Sequence, residues 1–112
     1  MVNATVYEKL IEVAKARKTI SYGDLGQAAD ITLDNDEGMK QLGFILDEIA
    51  DQEVAAGRPL LAVVVVREDN NQPGAGLFKY ARRKRLQKTD DLTFFVTELN
   101  RVYAYWAASK PN

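Results

Sequence analysis

Residues 60–66 read Leu-Leu-Ala-Val-Val-Val-Val, the longest apolar stretch of the chain. It is far too short to span a bilayer, where a helix needs about twenty apolar residues. A run of this kind, without polar alternation, matches a strand covered on both faces by other elements. We therefore expect a buried strand from Leu60 to Arg67 with the rest of the chain packed around it. A length of 112 residues suits one domain, residues 1–112, and is enough for one core without metal or disulfide staples.

The segments before the strand are helical in period. Val6, Leu10 and Val13/Ala14 predict a first helix over about Val6 to Arg17, with Thr5 and Glu8 at capping-box spacing. Ser21 and Asp24 repeat that spacing ahead of a short second helix ending near Ala29. Asp34 to Glu37 put acid at the positive end of a third helix, where Met39, Leu42, Leu46 and Ile49 recur at 3, 4, 3 spacing; the helix should end near Ala55, before Gly57. After the strand, Pro73-Gly74 suits the two central positions of a type II turn, so Leu77 to about Ala81 is expected to return as a second strand. Thr89 to Ala108 carries Leu92, Phe95/Val96, Leu99, Val102/Tyr103 and Trp106 as the apolar stripe of a long last helix. The expected fold class is α+β: three N-terminal helices, a β-hairpin as a wing and a long C-terminal helix, a winged-helix-like order.

The formal charge of -1 conceals a strong separation. Lys79 to Lys88 holds six Lys and Arg and no acid, whereas residues 1–78 hold seven against thirteen. A local positive field on an acidic body favours an anionic partner at one place. The chain has neither cysteine nor histidine. Disulfides, thiol nucleophiles, the usual zinc sites and imidazole-based triads are thereby excluded. No cofactor and no catalytic residue is assigned, and the balance is against an enzyme. The start of the sequence shows no basic segment followed by an apolar run, so a cytoplasmic protein without membrane contact is expected.

Two resemblances add to this reading. VYEKLIEVAKARKTISYGDLGQAADI and MKQLGFILDEI, within residues 6–80, resemble the DNA-binding half of the alkylguanine-DNA alkyltransferases and their catalytically dead relatives. That family has a T-x-x-Y-G-x-L start to its second helix and an Arg-x-x-Gly helix in the minor groove. The resemblance implies base flipping with Tyr22 in the tyrosine's place and Lys40 in the intercalating arginine's place. The reactive Pro-Cys-His-Arg motif is replaced by Leu61 to Val66, which excludes alkyl transfer. The helix region Asp34 to Glu53 also has seven acids and one lysine, a poor surface for phosphates. The second half resembles small uncharacterised bacterial proteins with a P-G-x-G-F-F turn, matched by Pro73 to Phe78 with Leu77 for the first phenylalanine.

The candidate nucleic-acid contacts are Lys79, Arg82, Arg83, Lys84, Arg85 and Lys88, with Tyr80 as a stacking face. Ser21, Tyr22 and Lys40 at the helices, and Asn70 and Asn71 at the wing tip, are secondary contacts. The bland alternative is a solvated connector whose cations pair with the acidic third helix. The expected function is a non-enzymatic domain that contacts nucleic acid or another polyanion. A second reading is a protein-interaction module or homodimer using the acidic helix and exposed aromatics. A third is a metal-dependent hydrolase or nuclease, for which Asp47 and Asp51 share a helix face at i, i+4. No metal ligand set is assigned.

Overall fold

Every residue from Leu60 to Val66 is buried in the computed structural model, which describes residues 2–108. The described elements are five helices, a short 3-10 turn and a two-stranded parallel sheet: α1 (Ala4–Lys15), β1 (Ile20–Ser21), α2 (Tyr22–Ala28), α3 (Asp36–Ala55), the 3-10 turn Leu61–Val64, β2 (Val65–Val66), α4 (Ala75–Arg83) and α5 (Asp91–Ala108). The coarse class is therefore α+β with helix dominant. No helix among the described residues is long and apolar enough to cross a membrane.

The apolar run forms the centre of the molecule but is not one continuous strand. Its first half winds into the 3-10 turn, against which α1, α3 and α5 all pack. Only Val65 and Val66 are extended, in parallel register with Ile20 and Ser21. The pairing is limited to two residues because Ser21 is already the N-cap of α2, its side chain accepting from the Asp24 N–H at 3.0 Å. Where the run starts, a buried carboxylate stands in for a ladder partner: the Leu60 N–H donates to Glu98 Oε2 on α5 at 2.8 Å. A buried N–H needs such a partner, and this one ties α5 to the core.

The expected hairpin is overturned. Leu77 to Ala81 lies inside α4, so the wing expected between Leu60 and Ala81 does not form. Gly74 has φ -74 and ψ 170, the extended geometry of an N-cap and not the positive φ of a type II turn. Phe78 and Ala81, three apart, are buried while Lys79, Arg82 and Arg83 are exposed, which is helical periodicity. The loop before α4 closes on itself instead: the Arg67 N–H donates to the Gln72 carbonyl at 2.8 Å, the Asn71 N–H to the Arg67 carbonyl at 2.9 Å, and Asn71 takes φ 56.

Local signals at helix ends were partly misplaced. Asn3, not Thr5, caps α1, its Oδ1 accepting from the Val6 N–H at 3.0 Å, so the helix starts and ends about two residues early. Asn35 caps α3 and Asp90 caps α5 in the same way, accepting from Gly38 and Thr93 N–H groups. The helices α1 to α4 each end with the next residue but one in the left-handed region, at Arg17, Asp30, Gly57 and Arg85. Each carries the paired backbone bonds of a Schellman motif. Only Gly57 among the four was readable as a stop. On α5 the buried residues are Phe94, Phe95, Glu98 and Val102, whereas Leu92 and Val96 point to solvent. Met39 of the expected α3 stripe is likewise exposed.

Candidate nucleic-acid interface

The six cations of the basic run occupy the outer face of α4 and the turn that follows it. Lys79, Arg82, Arg83, Lys84, Arg85 and Lys88 are all exposed, and no acid occurs between Ala75 and Lys88. Their helix is held to the body by Phe78 and Ala81, which leaves the charged stripe facing outwards. Two of the six meet carboxylates of neighbouring helices. Arg82 pairs with Asp91 in the first turn of α5, and Lys84 Nζ lies 3.7 Å from Asp51 Oδ1 on α3. Arg83 acts on Asp47 through space without a salt bridge. Lys79, Arg85 and Lys88 have no ion pair among the described residues.

Tyr80 does not present the stacking face expected of it. It is 2 % exposed, and its hydroxyl donates to Asp51 Oδ1 at 2.6 Å. Arg83 and Lys84 cover its ring, 5.3 Å and 5.8 Å from the centroid. Burial, then the Asp51 carboxylate, pushes its phenol well above the usual range. Tyr80 thus fixes the end of α4 to α3 and shapes the basic patch from beneath. The alternation of Lys79, Tyr80 and Ala81 in sequence gave no sign of this; only the helix period puts Tyr80 on the inner side.

Beside the basic face runs an apolar groove between α3 and α4. Its inner part is lined by Tyr22, Gly43, Leu46, Asp47, Ala50, Ala62, Gly76, Leu77 and Tyr80. It continues past Met39, Arg67, Gly74 and Ala75. Tyr22 stands at the junction of the two parts: its hydroxyl accepts from the Gly74 N–H at 3.1 Å, and burial raises its phenol above the ordinary value. A Cβ on Gly74 would come within 3.0 Å of that oxygen, so glycine here permits the close approach of α4 to α2. Asp47 on the rim is raised by partial burial, with Arg83 opposing and Asp51 adding to the shift.

The remaining secondary contacts are scattered around this groove. Ser21 Oγ is engaged as the α2 cap. Lys40 is exposed on α3, next to the groove residue Met39. Asn70 and Asn71 are exposed in the loop before α4, where Asn70 Oδ1 accepts from the Gln72 N–H. With no hairpin, that loop is not a wing tip. Gly43 and Gly76 were marked in the sequence only as parts of the Arg-x-x-Gly and P-G-x-G matches, and Arg67 only as the end of the expected strand.

Of the two acids that share a face of α3, Asp51 is engaged by the Tyr80 hydroxyl and by Lys84, and Asp47 lines the groove. Glu53 is fully buried and receives Arg58 Nε and Nη2 at 2.9 and 2.8 Å and the Tyr7 hydroxyl at 3.0 Å. The Arg58 backbone N–H also donates to the Glu53 carbonyl at the end of α3. Among the described residues no three acidic side chains converge as a ligand set. Fold and site together define a mostly helical α+β domain with a basic helix beside an apolar groove. No family model matches the chain, and no curated protein or solved structure matches it significantly.

Proposed function

We propose that this domain is a non-enzymatic binder of nucleic acid, or of a polyanion with similar charge density, acting through the outer face of α4 and the turn after it. One observation carries the reading: six cations of one ten-residue segment stay at the surface, four of them without an ion-pair partner among the described residues. Unpaired surface cations clustered at this density repel one another, and an array of phosphates relieves that repulsion while releasing counterions. The resemblance of residues 6–80 to a DNA-binding half agrees in partner class. In this reading α4 takes the part that a wing would play, and α3, with its acids, stays off the backbone. Tyr22 and Lys40 flank the groove next to that surface as secondary contacts.

The test is a fluorescence-anisotropy titration of labelled single- and double-stranded DNA and RNA at several salt concentrations. Contacts from three to six cations give a slope of log affinity against log salt of about -3 to -5 on duplex DNA. Replacing three of the four unpaired residues together, as Lys79→Glu, Arg85→Glu and Lys88→Glu, removes binding while leaving the ion pairs of Arg82 and Lys84 intact. Absence of wild-type binding at low salt, or binding indifferent to the triple change, refutes the reading.

A further inference from the structure

Arg83 and Lys84 follow Tyr80 at i+3 and i+4, so the helical period sets both cations on its side of α4. The guanidinium carbon of Arg83 stands 5.3 Å and Lys84 Nζ 5.8 Å from the ring centroid, within reach of a cation–π contact. Across from them α3 presents two carboxylates at i, i+4: Asp51, which meets Tyr80 and Lys84, and Asp47, which feels Arg83 through space. The basic face therefore lies against two acids of the same chain that are able to neutralise it from within.

That neutralisation is incomplete. Arg83 forms no salt bridge among the described residues, and Lys84 Nζ stops 3.7 Å from Asp51 Oδ1, too far for an N–H···O bond. The oxygen that Lys84 approaches is already taken: the Tyr80 hydroxyl donates to the same Oδ1 at 2.6 Å, the length of a hydrogen bond to a charged acceptor. Packing fixes this hydroxyl, because Tyr80 is buried, whereas the side chains of Lys84 and Asp51 are 44 % and 60 % exposed and stay in contact with water. An exposed ammonium gains little from such a pair, and a rigid donor already on the oxygen lowers that gain further. We propose that Tyr80 is the positioning residue of the basic face: its hydroxyl occupies the Asp51 oxygen that Lys84 would otherwise bind, and its ring supports Arg83 and Lys84, so that both cations stay available to an external anion. This deepens the polyanion reading and rests on it for the use made of the free cations.

The experiment compares the wild type with Tyr80→Phe, Asp51→Asn and the two changes combined. Tyr80→Phe keeps the ring and its packing and removes only the hydroxyl; Asp51 is exposed, so no buried acceptor is orphaned and the far-UV circular dichroism is unchanged. Lys84 then closes on Asp51. In competitive acetylation read by mass spectrometry, with the unpaired Lys88 as internal reference, Lys84 of Tyr80→Phe reacts at least about twofold more slowly. In the anisotropy titration the same variant binds duplex DNA about two- to fivefold more weakly at low salt, with a salt slope shallower by about 0.9, the share of one cation. In the Asp51→Asn background, Tyr80→Phe alters neither the labelling nor the binding; a merely structural role would give the same loss in both backgrounds. An unchanged Lys84 rate in Tyr80→Phe overturns the proposal, and so does a loss of affinity that persists with Asn at position 51. Slower labelling in Tyr80→Phe beside a wild type that binds no nucleic acid upholds the position of Tyr80 and refutes the polyanion reading instead.

Discussion

Removing the charge of Glu53 is predicted to be among the most damaging isosteric changes available in this domain. The side chain is inaccessible to water and holds three donors: two from Arg58 and one from Tyr7 on α1. In Glu53→Gln the volume is kept but one oxygen becomes an NH2 group, which must face a donor of Arg58 or Tyr7. Breaking a buried pair on one side costs about 3–5 kcal/mol, because the remaining charge is left uncompensated. Arg58 retains 25 % exposure of its side chain, so water relieves part of that loss and the lower figure, about 3 kcal/mol, applies. With an unfolding entropy of about 2.1 cal/mol/K per residue, the 112-residue chain should melt about 13 °C lower. Thermal unfolding followed by far-UV circular dichroism reads this directly. The paired replacement Glu53→Met with Arg58→Met should cost less than Glu53→Gln alone, since it leaves no orphan charge. A Glu53→Gln protein within about 1 kcal/mol of wild type would refute the argument that this carboxylate is a paired, buried tie between α1 and the end of α3.

Three further outcomes follow from the packing and electrostatics. Gly38→Ala should destabilise by about 3 kcal/mol or more in urea unfolding, because its Cβ would sit 1.7 Å from the Thr32 carbonyl oxygen, whereas Gly76→Ala, facing open space, should be nearly neutral. Burial raises the phenols of Tyr7, Tyr22, Tyr80 and Tyr103 in the folded protein; stability from these groups is therefore complete below the unfolded tyrosine pKa of about 10 and is lost as pH rises through the folded values. Phenolate absorbance should then appear together with unfolding, and early titration of all four in a still folded protein would contradict it. Finally, Asp51→Asn with Asp91→Asn keeps acceptors for Tyr80 and Arg82 but frees Lys84 and Arg82 of carboxylates. Polyanion affinity at low salt should rise about tenfold, and unchanged affinity would mean that these pairs do not compete with the ligand.

Much of the helical part was legible because local chemistry sets it. Ser21 was readable as a cap and Gly57 as a stop from residue type and spacing alone, and the α3 stripe of Leu42, Leu46 and Ile49 is buried as its period requires. The segment from Pro73 to Ala81 was not legible. Pro-Gly followed by Leu-Phe-Lys-Tyr-Ala satisfies both a turn with a short strand and a helix start with one amphipathic turn. The choice depends on what Phe78 and Ala81 can pack against, and on the Gly74 N–H finding Tyr22, fifty-two residues away. The same holds for the candidate site. The basic run was evident from composition, yet which of its cations are engaged was decided by Asp51 and Asp91, brought from α3 and α5.

By itself the sequence determined that Leu60 to Val66 would lie at the centre, that helices would surround it, and that one segment would be strongly positive on an acidic domain. Hydrophobic burial and net local charge are additive properties of residues, so composition and period report them. Only the tertiary structure decided that the central run is a 3-10 turn with a two-residue parallel bridge, that α4 replaces a strand, and that Tyr80 lies beneath the basic face instead of on it. These depend on pairings between distant segments, where the available partner for a buried N–H or hydroxyl outweighs local propensity.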